Sequence, residues 1–470
     1  MMSKKVPIVA IVGRANVGKS SLFNALLERR EAIVAREAGT TRDSIMAKAS
    51  LDDDQDFWLV DTAGMKDAED EFEFTIQEQI LQAADSADVI LVVAEAGTTV
   101  TEEDRRVAKL ALKSRKPVIL LVNKIDQARK QGTEGFERLG IKPMIATSAI
   151  HREGLSELAD ELQTLLPKAS IVEDDGRLRI ALLGRPNVGK SALFNSLANK
   201  QQAIVADRAG TTRDINRTTL RHSGRTIEIM DTAGIRRSGK IGTGIERFSV
   251  IRTLSAIEQS DVCFVLMDVN ELATGLDQKI AGMIKDAGKG LVLVVSKWDA
   301  LDEKTPYSRD QLAVEIANQF EFVPWAPLIF TSSITGQNVT KLFELAQEID
   351  ARRHQKFGTR ELNQWLRIVA DRHPPAGLKN RAPKLNYIVQ EDDSGQGPSF
   401  KVFGSHTKFL HWSYKRHMER MLREQHDLTG TPIKFWFIEK HVTHRNGDSP
   451  TKAPRSDLQK TIISKKSGGR

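Results

Sequence analysis

Two octapeptides in this chain end a glycine-bounded loop with a lysine and a hydroxyl. The first is Gly13-Arg14-Ala15-Asn16-Val17-Gly18-Lys19-Ser20, and the second is Gly184-Arg185-Pro186-Asn187-Val188-Gly189-Lys190-Ser191. This spacing suits chemistry on phosphates. Glycines let the backbone wrap closely around oxyanions, and the N–H groups of the loop and of the helix that follows form an anion nest. Lys19 and Lys190 are placed to neutralise β- and γ-phosphates. The Ser20 and Ser191 hydroxyls are placed to ligate Mg²⁺, with Ser21 and Ala192 next in each loop. A lone match could be a mere glycine-rich turn; two matches with companion motifs are not.

The companions recur in the same order at a nearly constant offset. Asp61-Thr62-Ala63-Gly64 and Asp231-Thr232-Ala233-Gly234 each close an apolar run. Their carboxylates can hold Mg²⁺ through water, and a glycine N–H can approach a γ-phosphate because no Cβ intervenes. Thr41 and Thr212, in the repeated Thr-Thr-Arg-Asp segments, are candidates for a hydroxyl that closes over the metal. The bland reading of any one of these is an ordinary turn residue.

Base choice follows from Asn123-Lys124-Ile125-Asp126. A carboxylate there can accept from both N1–H and the exocyclic amine of guanine, a donor pair that adenine lacks. Asn123 would bridge base and phosphate loop, Lys124 would cover the ring, and Ser148-Ala149 would supply a main-chain N–H to guanine O6. A P-loop kinase or ATPase conflicts with this motif. The second copy reads Ser296-Lys297-Trp298-Asp299, followed by Ser332-Ser333. Ser296 is shorter than asparagine and has no amide, so the second site is expected to select guanine less sharply. Met65 and Ile235 stand where Ras-like enzymes carry a water-orienting glutamine. Something else must then supply the electrostatics of hydrolysis, or hydrolysis is negligible at one or both sites. Asn16 and Asn187, beside the phosphates, are candidates to help hold K⁺; the alternative is that each stabilises its loop.

The elements that must position these residues are read from hydrophobic pattern. Near-continuous apolar runs predict strands over 8–12, 57–60, 89–93, 118–122 and 144–146, and again over 179–183, 226–230, 262–267, 291–295 and 328–330. Helical stretches over 19–27 and 190–198 follow the phosphate loops. Alternation of this kind predicts a doubly wound α/β fold with a parallel sheet in each copy, and every motif falls at a strand's carboxyl end, where such sheets bind ligands. The expected organisation is a first GTPase-like domain over 1–167, a solvated linker over 168–177 and a second such domain over 178–352. A small α+β domain over 353–440 and a basic, disordered tail over 441–470 complete it. The third domain is expected to run helix 361–370, strands 384–390 and 399–403, helix 412–424 and strand 432–438.

These residues resemble the bacterial Der (EngA) family of tandem GTPases. The resemblance rests on both G-R-x-N-V-G-K-S loops, both Thr-Thr-Arg-Asp and Asp-Thr-Ala-Gly pairs, the stretch Glu246-Arg247-Phe248-Ser249, and Lys297-Trp298-Asp299. His373-Pro374-Pro375, Ser413-Tyr414-Lys415-Arg416 and Gly430-Thr431-Pro432-Ile433 extend it to about residue 440. It implies GTP/GDP as ligands, K⁺-stimulated hydrolysis, a KH-like third domain and a part in maturing the large ribosomal subunit on its RNA. Ser296, Ser333, Ala15 and the long basic tail depart from the family pattern.

No G-x-x-G backbone clamp of the kind KH domains use occurs between 352 and 440. Lys415, Arg416, Arg420 and Arg423 on one helix are therefore the candidate RNA surface; a merely solvated helix face is the alternative. Phe435, Trp436 and Phe437 could stack bases, but strand alternation favours core packing for at least Phe435 and Phe437, so no clear aromatic platform is expected. His406, His411, His417 and His426 lack zinc-like spacing. A net charge of +7 in 470 residues is compatible with a polyanionic partner, and a single cysteine, Cys263, fits a reducing compartment. No apolar stretch is long enough to span a bilayer. A cytoplasmic monomer without integral membrane contact is the expectation.

Overall fold

The computed structural model describes residues 3–4, 6–27, 46–51, 55–61, 80, 83, 86–128, 133–167, 171–172, 175–200, 216–231, 250–301, 308–375, 377, 382–391 and 397–439. Thr41, Thr212, the segments 62–64 and 232–234, and the tail over 441–470 lie outside them.

Each copy forms a six-stranded sheet. In the first, the spatial order is Met46–Ser50, Asp56–Asp61, Ile8–Val12, Val89–Glu95, Val118–Asn123 and Met144–Thr147. In the second, it is Asn216–His222, Arg225–Asp231, Leu178–Gly184, Val262–Asp268, Gly290–Ser296 and Leu328–Phe330. All neighbours run parallel except the first pair of each sheet. The five strands expected in each copy do run parallel, and one further, antiparallel strand caps one edge of each sheet. Met46-Ala47-Lys48-Ala49-Ser50 and the polar run from Asn216 to His222 carry no continuous apolar stretch, because an edge strand needs no apolar cover on both faces.

The segment expected as a linker contains one short strand. Ile171–Val172 pairs antiparallel with Ser3–Lys4, so the segment after the first sheet returns to the chain's start instead of running free.

Strand alternation splits the core into layers. Val9, Ile11, Leu59 and Leu91 face a core confined to the first copy, and Ile180, Leu182, Ile229 and Phe264 face one confined to the second. The opposite faces share a single apolar layer. It runs from Ile8, Ala10, Trp58 and Ile90 to Leu183, Met230, Leu254 and Val265. At this junction the Trp58 indole Nε1 donates to Glu258 Oε1 at 2.6 Å, with both side chains buried.

The third domain pairs Lys384–Glu391 antiparallel and Lys434–Glu439 parallel with Ser399–Ser405. Helices Thr359–Arg372 and Trp412–Gln425 cover one face through Leu362, Trp365, Tyr414, Met418 and Leu422. Phe435 and Phe437 pack half-buried against that core. The domain docks on the second copy. Gly430 N–H donates to Trp325 O at 2.8 Å, Leu291 N–H donates to Gly430 O at 2.9 Å, and Gly397 N–H donates to Gly288 O at 3.0 Å. Gly430 has φ +73, and a Cβ there would meet Ile349 Cδ1 at 2.4 Å, so only glycine makes this approach.

Candidate functional site

The strand Ile8–Val12 delivers the chain into the first loop, and helix Lys19–Leu27 leaves it. Gly18 has φ +93, and a Cβ there would stand 2.3 Å from Asn123 Nδ2. Asn123 Nδ2 donates to Val17 O at 3.0 Å, while its Oδ1 accepts from Ala149 N–H and Thr147 Oγ1, both at 3.3 Å. One amide thus ties the loop to two later strands. Lys124 Nζ donates to Asn16 O at 2.7 Å, and Ser148 Oγ donates to Asp126 Oδ1 at 2.6 Å. The expected base-reading residues and the phosphate loop are one connected unit.

Asn16 and Asn187 adopt φ 64 and 63. Asparagine tolerates this left-handed conformation, which accounts for the residue type at the loop's bend. Lys19 Nζ donates to Gly13 O at 2.8 Å and Arg14 O at 2.6 Å; Lys190 Nζ reaches Gly184 O at 3.0 Å and Arg185 O at 2.5 Å. Both lysines are curled into their own loops. Burial pulls the Lys19 amine below its ordinary value, while Asp61 opposes that shift.

Ser20 Oγ donates to Asp61 Oδ2 at 2.6 Å, and Ser191 Oγ donates to Asp231 Oδ2 at 3.1 Å. A hydroxyl and a carboxylate converging beside a phosphate loop form a hard-oxygen pair. That donor set fits Mg²⁺, which is usually held by one or two protein oxygens, substrate phosphates and water.

The second copy corrects the reading of Ser296. Its Oγ reaches Val188 O at 2.6 Å, the counterpart of Val17 O, and also Met267 O at 2.9 Å. A hydroxyl therefore does make the bridge to the loop. What it does not reproduce is the acceptor half of Asn123. No counterpart of the Ala149 N–H bond is found at Ser333 among the described residues. The clearance differs too: a Cβ on Gly189 would stand 3.9 Å from Ser296 Oγ.

Four acidic residues that sequence reasoning missed hold the loops from behind. Glu95 takes Lys124 Nζ at 2.9 Å and Arg14 Nη2 at 3.0 Å on its two oxygens. The hydrogen bond from Lys124 is the main cause that keeps its carboxyl below the usual range. Asp268 takes Lys297 Nζ at 2.6 Å. Burial pushes the Asp268 carboxyl up, and the bonds from Lys297 and the Asn270 N–H outweigh it. Arg14 Nε lies 3.6 Å from Asp104, and Arg185 Nε donates to Asp277 at 3.2 Å. Both aspartates sit in capping boxes, with Thr101 and Thr274 as N-caps. The recurring T-x-x-D in both copies was the available signal.

On the C-terminal helix, Lys415, Arg416 and Arg420 are exposed. Arg423 is not on that surface. Its Nη1 donates to Leu428 O at 2.9 Å, its Nη2 to Thr431 O at 2.9 Å and to Glu419 at 2.8 Å, and its guanidinium lies 5.2 Å over the Trp325 ring. It is spent on docking the third domain, which corrects its place among the RNA candidates.

Fold and site together define a P-loop GTPase of tandem construction. A family described as 50S ribosome-binding GTPase matches residues 8–124 and 179–297, and one described as KH-domain-like of EngA bacterial GTPase enzymes, C-terminal, matches 356–437. The chain belongs to the GTPase Der family. It is 41% identical over 441 residues to GTPase Der of Herpetosiphon aurantiacus, covering 92% of this chain and 96% of that one. It is 36% identical over 466 residues to GTPase Der of Xanthomonas axonopodis pv. citri, with 98% of each covered. A solved structure of Era in complex with MgGDPNP and nucleotides of 16S ribosomal RNA aligns at 21% identity. That alignment has a TM-score of 0.28 and covers 56% of this chain and 94% of that chain. Among the described residues no helix is long and apolar enough to cross a membrane.

Proposed function

We propose that the two nucleotide sites control docking of the third domain on the large ribosomal subunit during its assembly. The observation that carries this reading is the union in one chain of two loop–strand units and a KH-like domain with a cationic helix. The description of the matching family as 50S ribosome-binding supports it.

In this reading Lys19 and Lys190 leave their loop carbonyls to meet β- and γ-phosphates. The N–H groups from Asn16 to Ser21 and from Asn187 to Ala192 surround the anion. Asp126 and Asp299 accept from guanine, and the main chain at Ala149 and Ser333 donates to its O6. Ser20 with Asp61, and Ser191 with Asp231, would hold Mg²⁺, joined by Thr41 and Thr212. The metal supplies charge neutralisation on the phosphates. Gly64 and Gly234 would bring N–H groups to the γ-phosphate. Because Met65 and Ile235 cannot orient water, the side chains of Asn16 and Asn187 would help hold a K⁺, which would supply positive charge beside the phosphates.

Pelleting the protein with purified large subunits under GDP, a non-hydrolysable GTP analogue and no nucleotide tests the reading. Association should change several-fold between nucleotide states, and equal pelleting in all three would overturn it. Titration calorimetry of Lys19→Ala and Lys190→Ala should each leave one guanine-nucleotide site; two remaining sites in either variant would refute that assignment. Turnover should be faster in potassium than in sodium at equal ionic strength, and equal rates would remove the K⁺ role.

A further inference from the structure

The chain has six tryptophans. Trp58, Trp298, Trp325 and Trp365 are each at most 9% exposed, and Trp436 is half-buried in a strand. Trp412 is 44% exposed. It opens the helix Trp412–Gln425, whose first turn contains no acidic residue. The Arg416 guanidinium lies 4.7 Å from the centre of its ring, one helical turn on, and the His411 ring lies 5.4 Å away. Lys415 Nζ sits 5.1 Å over Phe437, and Arg420 continues the stripe begun by Trp412 and Arg416. Among the described residues no carboxylate pairs with Lys415 or Arg416. Glu419 is occupied by Arg423.

We propose that Trp412 and Arg416 form a stacking platform for an unpaired RNA base, with Lys415 and Arg420 taking the flanking phosphates. The inference rests on the reading that the third domain meets RNA and names how. An acidic peptide would need the cations but not the open indole. A lipid surface would need a contiguous apolar patch, and this ring is bordered by charge. Unpaired bases use both kinds of group, since they stack on aromatic rings and on guanidinium planes while cations follow the backbone. The platform answers the lack of a G-x-x-G clamp.

The test uses the full chain and two labelled probes of equal length, an oligouridylate and an abasic ribose-phosphate strand, read by fluorescence anisotropy. Trp412→Ala should weaken oligouridylate binding roughly ten-fold and leave the abasic strand unaffected. Trp412→Phe should restore most of the loss. Lys415→Glu with Arg416→Glu should weaken both probes and flatten the salt dependence of binding. GTP binding by each variant should match the parent, and an unchanged unfolding midpoint in denaturant verifies that the third domain is folded. Equal weakening of both probes by Trp412→Ala, or no weakening of either, would overturn the platform while leaving a cationic RNA surface standing. Failure of the charge reversals to affect either probe would overturn the RNA reading itself.

Discussion

Asn123 and Ser296 stand at equivalent strand ends, and the hydrogen bonds around them differ by the acceptor half of one amide. Ser296 already reaches the loop carbonyl of Val188, so its replacement by asparagine would add chiefly the tie to the Ser333 N–H. Space exists for the longer side chain beside Gly189. Ser296→Asn should therefore tighten GDP at the second site by about three- to ten-fold, the worth of one net hydrogen bond. Calorimetry in a Lys19→Ala background would read that site alone, and unchanged affinity would mean the bridge suffices. Glu95 offers a second prediction. It joins Lys124 to Arg14, which Asp104 also approaches, whereas in the other copy Asp268 takes the lysine and Glu271 with Asp277 takes the arginine. Glu95→Gln should speed GDP release from the first site several-fold, measured by stopped-flow with a fluorescent GDP. The Glu95 carboxyl is held low, so its contribution is complete above the ordinary carboxylate range of about 4 and is lost as pH falls through the lowered value. Release from the first site should stay slow from neutrality down to that range and quicken only below it, and Glu95→Gln should abolish this acid dependence.

The helix Trp412–Gln425 has one face tied into the fold and one exposed, and its arginines divide between them. Arg423 is tied to Leu428, Thr431 and the Trp325 ring, and burial lowers its pKa. Arg423→Ala would leave two loop carbonyls without their donor and should cost about 2–3 kcal/mol, seen as a lower unfolding midpoint in denaturant. The pair Lys415→Glu and Arg416→Glu should leave that midpoint in place. Equal destabilisation by both sets would show that the helix has no free face. Charge alone could not sort these residues in the sequence, because Arg416 and Arg423 differ only in what the fold brings to them from other segments. The same limit explains the missed edge strands, whose residues from Asn216 to His222 carry no apolar run to mark them before pairing with Arg225–Asp231 is seen. By contrast, the core strands were legible to within a residue or two, since burial on both faces demands an unbroken apolar run. The phosphate loops were legible because their chemistry is local; Glu95 and Asp268 were not, because they act on the loops across the sheet.

At the scale of the whole molecule, the two copies are not beads on a string. They share one apolar layer, and Trp58 spans it to Glu258. Trp58→Ala would open a cavity and leave a buried carboxylate without its donor, so about 3–5 kcal/mol of stability should be lost. Thermal unfolding should show the loss, while Trp58→Phe, which keeps the volume better, should lose less. No change on Trp58→Ala would mean the shared layer contributes nothing. Synthesis on the ribosome adds an order to this. Ser3–Lys4 finds its strand partner only when residues 171–172 have emerged, and Trp58 finds its carboxylate only when residue 258 has. The first copy's own helix Glu102–Lys113 covers the shared face of its sheet through Val107, Ala108 and Ala111, but Trp58 must wait for its partner while roughly another domain's length of chain is made. A ribosome stalled between these two points would leave the Trp58 surface open to chaperones, so the survival of the nascent chain is coupled to how steadily it is translated.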